Sequence, residues 1–153
     1  MSLILGIEYC KVDSNGRFKF PIALKKQLED SECRFAIRQS IYAECLELWP
    51  YASFKAEVEH LQKILNPYNV QQRDILRKLT EGNIIELDSN DRLLIPTEQK
   101  AKINNAKDIV LQSTGRFIEI WARDAYDRRN AKTANFAAEV DAVLGSLPKD
   151  NEQ

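Results

Sequence analysis

The chain of 153 residues has few of the residue types that announce a metal site or a catalytic centre. It carries one histidine, His60, one methionine, and three cysteines, Cys10, Cys33 and Cys45, with no Cys-x-x-Cys spacing. An odd, scattered set of thiols supports neither a disulfide framework nor a zinc site. Five glycines and five prolines exclude collagen-like and low-complexity classes. No apolar run approaches the roughly eighteen residues of a membrane span, and the short run Met1 to Ile7 follows no basic segment, so a cytoplasmic protein is expected. Phosphate-loop, dinucleotide, nucleophile-elbow and HExxH motifs are all missing, and nothing in the sequence brings Cys10 and His60 together as a nucleophile pair. No enzyme, cofactor, metal or small-molecule substrate is therefore expected. With 22 Lys+Arg against 23 Asp+Glu, neither sign of charge dominates. That excludes an evenly basic nucleic-acid binder and leaves room for a local basic patch.

What the chain does have is a repeat. Residues 13–21 read DSNGRFKFP and residues 88–96 read DSNDRLLIP, five identities in nine at an offset of 75. A second block, Glu44 to Trp49, matches Arg116 to Trp121 at an offset of 72, with Phe54 and Tyr126 in the same register. Two matched blocks in one order indicate a tandem duplication, with three residues fewer between the blocks in the second copy.

Each copy reads as a small β-α-β unit. Glu8 to Val12, the turn Asp13-Ser14-Asn15-Gly16, and the alternating Arg17-Phe18-Lys19-Phe20 predict a hairpin with one buried face. Pro21 suits a helix start, predicting a short helix Ile22 to Leu28, and Pro96 does the same for a helix reaching about Ile103. Strands are expected at Phe35–Arg38 and Cys45–Trp49 in the first copy. Ile84–Leu87, Arg92–Ile95, Ile109–Gln112 and Arg116–Trp121 are expected in the second. Phe54, Val58, Leu61 and Leu65 predict an amphipathic helix after Pro50, a further helix runs from about Val70 to Leu79, and Phe136, Val140, Val143 or Leu144 and Leu147 predict a last one. The expected organisation is α+β: one domain over residues 1–148, with repeats at about 1–66 and 84–131, helices at 67–82 and 133–147, and a flexible tail at 149–153.

The two D-x-x-x-R elements, Asp13 to Arg17 and Asp88 to Arg92, each with a proline four residues after the arginine, resemble the MraZ family, related to the AbrB-type swapped-hairpin proteins. The resemblance extends to the strand ending in Trp49 and to Phe117-Ile118-Glu119-Ile120-Trp121. It implies a double-split β-α-β fold, a ring-shaped homo-oligomer, and a nucleoid-associated transcriptional regulator. Its partner would be double-stranded DNA, at repeated boxes upstream of the division and cell-wall gene cluster. It also implies that Arg17 contacts DNA, with Arg92 as the matching position, and it brings no cofactor. Family members often have Lys where this chain has Asn15 and Gly where it has Asp91; the negative charge that Asp91 adds beside Arg92 directs DNA contact to the first motif. A scaffold of the same fold without DNA binding, and an AbrB-type antitoxin, are the alternatives; two copies in one chain argue against the antitoxin.

Local charge agrees with that direction. Residues 10–28 carry a net +4 and residues 85–103 a net −1. Arg17 would lead the DNA contact, supported by Lys11 and Lys19 on the same hairpin face. Two roles stand for each arginine, a salt bridge to its own turn aspartate or a contact to DNA; the lysines around Arg17 favour the second and the acidic neighbours of Arg92 the first. Asp13, Asn15, Gly16 and Asp88 are read as turn formers, Pro21 and Pro96 as helix starts, and Trp49 and Trp121 as core.

Overall fold

The computed structural model describes residues 3–29, 32–132 and 135–148. The expected tail, and the first two residues of the expected helix 133–147, lie outside the described residues. The chain divides into two compact units, Met1–Arg123 and Asp124–Gln153.

In the first unit the elements are β1 (Ile4–Lys11), β2 (Arg17–Lys19), α1 (Ile22–Lys25), β3 (Arg34–Gln39), β4 (Cys45–Pro50), α2 (Tyr51–Ile64), α3 (Val70–Leu79), β5 (Gly82–Glu86), β6 (Arg92–Leu94), α4 (Thr97–Ala101), β7 (Asp108–Gly115) and β8 (Ile118–Ala122). Six strands form one antiparallel sheet in the order β1-β7-β8-β4-β3-β5, and β2 and β6 form a separate two-stranded ribbon. Read from either end, the sheet order meets the first strand of one half of the chain, the third and fourth strands of the other, then the fourth and third of the one and the first of the other.

The expected hairpin is corrected by this topology. Its turn forms: Asp13 N donates to Arg17 O at 2.8 Å and Gly16 N to Asp13 O at 3.0 Å. The two strands then part. β1 pairs along its length with β7, Ile4 opposite Gly115 and Lys11 opposite Asp108, while β2 pairs with β6. Burial explains the separation. Phe18, Phe20, Leu93 and Ile95 are all at most 1% exposed, and each such side chain contributes about 1.5–3 kcal/mol when removed from water. Phe20 meets Phe35 of the sheet at a ring-centroid distance of 5.4 Å, placing the ribbon over one sheet face. Phe54 of α2 meets Trp49 at 6.0 Å. Trp49 points opposite to its neighbour Pro50, which pairs with Phe35, so α2 covers the other face. β4, sandwiched between them, is buried at all six positions.

The tryptophans are core residues, as their position predicts. Trp49 Nε1 donates to Glu47 Oε1 and Trp121 Nε1 to Glu119 Oε1, both at 3.1 Å, and the two glutamates are register partners across β4 and β8. Arg38 Nε on β3 also donates to Glu47 Oε1, at 3.0 Å, compensating a carboxylate that is only 7% exposed. Pro21 and Pro96 stand immediately before α1 and α4 with φ of −60° and −56°, and α1 ends at Lys25, short of the expected Leu28.

The second unit holds α5 (Arg123–Ala131) from its second residue onward and α6 (Phe136–Ser146). The sequence reading assigns no helix at α5, whose few apolar residues form no stripe; Arg128 pairs with Asp124 one turn earlier at 3.6 Å. α6 falls where the apolar spacing places it, and none of its residues is buried.

Candidate nucleic-acid interface

The two D-x-x-x-R turns are built alike. Asp13 Oδ1 accepts from the backbone N–H of Asn15 (2.8 Å) and Arg17 (3.0 Å); Asp88 Oδ1 accepts from those of Asn90 (2.8 Å) and Arg92 (3.0 Å). Each aspartate thus accepts two amides of its own turn. Gly16 takes a positive φ of 86° in the first turn, and Asp91 takes the same place in the second with φ 58°. The Arg17 amide holds the Asp13 carboxyl below the usual carboxylate range, helped by the Asn15 amide and by the charges of Arg92 and Arg17. Asp88 is lowered in the same way, first by the Arg92 amide, then by that of Asn90 and by the charges of Arg92 and Arg17. Each carboxylate feels the arginine of the other turn, so the ribbon brings the two motifs into one site.

The ribbon register decides which side chains share a face. Arg17 lies opposite Leu94, Phe18 opposite Leu93, and Lys19 opposite Arg92. Phe18 and Leu93 point inward, which turns Arg17, Lys19, Arg92 and Leu94 outward together. Among the described residues no carboxylate lies within 4 Å of Arg17, Lys19 or Arg92, so neither arginine makes the salt bridge to its own turn aspartate that the sequence leaves open. Lys11 is not on this face: it ends β1 in the other sheet, 3.8 Å from Asp108. The expected sharing of one face by Lys11, Arg17 and Lys19 fails because β1 and β2 are not paired.

Two lysines clasp the turns from the opposite halves. Lys25 Nζ sits 2.6 Å from Asp91 Oδ1, which neutralises the carboxylate beside Arg92. Lys100, at the same offset of 75 from Lys25, reaches the first turn, where a Cβ added to Gly16 would stand 3.3 Å from its Nζ. Gly16 offers no carboxylate, and among the described residues Lys100 has no ion-pair partner. The offset between the repeats was signal enough to find Lys100, and the charge count alone hid it.

No group of three or more metal-ligating side chains is assembled among the described residues, and no helix among them is long and apolar enough to cross a membrane. Burial, with the nearby Glu8, pushes the Cys10 thiol up to about 11, so it is protonated near neutral pH and poorly nucleophilic.

The family model described as "MraZ protein, putative antitoxin-like" matches residues 79–145. A transcriptional regulator MraZ of Flavobacterium psychrophilum is 37% identical over 98% of this chain and 97% of its own length. The chain belongs to the MraZ family. The MraZ regulator of Christiangramia forsetii is 34% identical over 94% of each chain, and that of Cytophaga hutchinsonii 33% identical over 84% of this chain and 85% of its own. The MraZ family model reaches this chain through the second half, which carries Arg92 and Lys100.

Proposed function

We propose that this MraZ-family chain is a sequence-specific, DNA-binding transcriptional regulator, cytoplasmic and nucleoid-associated. Its DNA contact is made by the outer face of the β2–β6 ribbon. The observation that carries this reading is the set of three cations, Arg17, Lys19 and Arg92, gathered on one exposed face without carboxylate partners. Holding like charges together costs stability unless an anion completes the site, and a two-stranded ribbon is of a size the major groove of DNA admits. Arg17 and Arg92 suit phosphate or a guanine edge, and Lys19 and Lys100 suit phosphate. Where the sequence directs DNA contact to the first motif, the ribbon register supports one composite site drawn from both motifs.

The ribbon is the meeting point of two copies of a split β-α-β unit. This duplication reading is supported by the matched turns, the matched Glu-x-Trp bonds and the sheet order that is the same from both ends. Several protomers in a ring would grip spaced DNA boxes upstream of the division and cell-wall gene cluster, each weakly, and block a promoter by occupancy. An oligomeric scaffold without DNA binding has no use for three unpaired cations on one ribbon.

The test is a titration of the protein against its own upstream region across a salt series. Log affinity should fall with log salt, with a slope of about 0.9 per phosphate contacted, and Arg17→Ala should weaken binding. A flat salt plot, or affinity indifferent to Arg17→Ala, overturns the reading.

A further inference from the structure

At the end of α4 the two copies of the repeat differ in chemistry. In the first copy Gln27 straps the helix to β1: its Oε1 accepts from the Leu5 N–H at 2.8 Å, and its Nε2 donates to Leu5 O at 2.7 Å. Leu24 is fully buried there, against Gly6. At the offset of 75, Gln27, Leu24 and Gly6 become Lys102, Gln99 and Glu81. A strap and apolar packing give way to a cation, an amide and a carboxylate. Gln99 is 2% exposed; its Nε2 donates to Asn83 Oδ1 at 3.1 Å, and its Oε1 has no hydrogen-bond partner among the described residues. Buried polar groups are ordinarily satisfied, so this end of the second copy is not organised for packing alone.

Lys102 lines a cavity of about 240 Å³ together with Gln39, Ser40, Ile41, Lys78 and Glu81. Two ammonium groups share one carboxylate in it: Lys78 Nζ lies 3.5 Å from Glu81 Oε2, and Lys102 Nζ lies 3.9 Å from Oε1. A closed charge-assisted hydrogen bond measures about 2.7–2.9 Å. Neither pair reaches that length, and two cations against one carboxylate leave a net positive charge. Lys102 carries its share of that charge on a side chain only 25% exposed. Ser40 Oγ accepts from the Tyr42 N–H at 3.3 Å, which leaves its own O–H to donate. The wall is held in place, because Arg38 Nη1 donates to Leu79 O at 2.5 Å and ties the end of α3 to β3. An adjoining cavity across Ile41 is lined by Arg38 against Glu47 and Glu57, so negative charge is favoured on the lysine side alone.

We infer that the cavity at Lys78 and Lys102 binds a small oxyanion, bearing phosphate or carboxylate groups, and acts as an effector site. The oxyanion supplies the second negative charge that the two lysines lack, and Gln39 and Ser40 offer it neutral hydrogen bonds. Lys100, two residues before Lys102 on the same short helix, reaches the first turn of the ribbon. An anion held at Lys102 therefore places negative charge next to a cation of the ribbon and weakens its attraction for phosphate. The coupling rests on the reading of the ribbon as the DNA face; the oxyanion site does not.

Isothermal titration calorimetry of the full chain with pyrophosphate and, separately, with citrate is the test, the two probes distinguishing phosphate from carboxylate. At least one should bind saturably, at one site per chain. Lys102→Gln, which installs the residue of the first copy, and Lys78→Gln should each weaken that binding about tenfold, and Glu81→Gln should tighten it about fivefold. Circular dichroism checks that these variants fold. Arg17→Ala should leave it unchanged, which separates the cavity from the ribbon cations. No saturable binding of either probe, or binding lost in Arg17→Ala and kept in Lys102→Gln, overturns the inference. At matched ionic strength, the bound probe should lower affinity for the upstream DNA about twofold in the wild type and leave Lys102→Gln unaffected. An equal effect on both proteins would be competition at the ribbon and overturns the effector role. A protein that binds the probe through Lys102 but binds no DNA removes the regulator reading and leaves the oxyanion site standing.

Discussion

Lys19 and Arg92, 73 residues apart, face each other across a two-stranded ribbon, with no carboxylate within 4 Å of either among the described residues. Directly opposed like charges destabilise a strand pair by about 0.2–1 kcal/mol. Arg92→Gln should therefore raise the unfolding free energy of the free protein by up to about 1 kcal/mol, while reducing the salt slope of DNA binding by about 1. Denaturant unfolding and a salt-series titration measure the two effects on one sample. A variant that is neither more stable nor less salt-dependent would show that the cations are not held together for an anion.

The turn aspartates set an acid limit on this site. Both Asp13 and Asp88 are held below the ordinary value of 3.8, chiefly by the amides of Arg17 and Arg92. A carboxylate lowered by folding contributes stability above its unfolded value, and that contribution is lost as pH falls through the folded value. Stability should thus be flat in these groups above about pH 4 and decline below it. Asp13→Asn with Asp88→Asn keeps an acceptor oxygen in each turn and removes the titration. The acid limb of a stability-versus-pH curve should flatten in this double variant; an unchanged limb would assign it to other carboxylates.

Two glycines are held by their neighbours and not by a turn. A Cβ on Gly82 would stand 2.4 Å from Ile37 O, in the backbone of the paired strand β3, whereas a Cβ on Gly6 would meet only the end of the Leu24 side chain, at 3.0 Å, though at a φ of +149°. Gly82→Ala should lower stability by about 1–3 kcal/mol through forced strand separation. Gly6→Ala should be partly rescued by Leu24→Ala or Leu24→Val, because a side chain can yield where a backbone cannot. Unfolding of the four variants checks this; full rescue of Gly82→Ala by any side-chain change would contradict it.

Much of the fold is legible in the sequence because it depends on local rules. The Asp-Ser-Asn turns follow from aspartate accepting its own downstream amides, α2 from the spacing of Phe54, Val58, Leu61 and Leu65, and the burial of Trp49 and Trp121 from their strand ends. Partner choice is not local. Alternation in Arg17-Phe18-Lys19-Phe20 says that one face is buried, but it does not say that the strand leaves β1 and pairs with β6. That difference takes Lys11 off the ribbon face and sets Arg92 opposite Lys19. Nor does charge counting by segment foresee that Lys25 crosses to the other half to neutralise Asp91, which is why the second motif looks acidic in sequence and cationic in space.

The ribbon carries one further asymmetry. Lys19 and Leu94 occupy the same place in the two repeats, 75 residues apart, so a face that could hold four cations holds three and an exposed leucine, 42% accessible. Leu94 stands opposite Arg17, and a Cβ on Gly16 would lie 3.4 Å from its Cδ1, so the leucine lies beside the first turn. Leu94→Lys restores the fourth cation. It should steepen the salt slope by about 1 and tighten binding to unrelated DNA more than to the upstream region, because phosphate contacts are indifferent to sequence. Leu94→Ala should leave the slope unchanged and reduce discrimination between the two DNAs, as loss of an apolar contact to a base edge would. Parallel titrations with both DNAs at several salt concentrations separate these effects. Equal slopes for Leu94→Lys and the wild type would place this position outside the DNA contact.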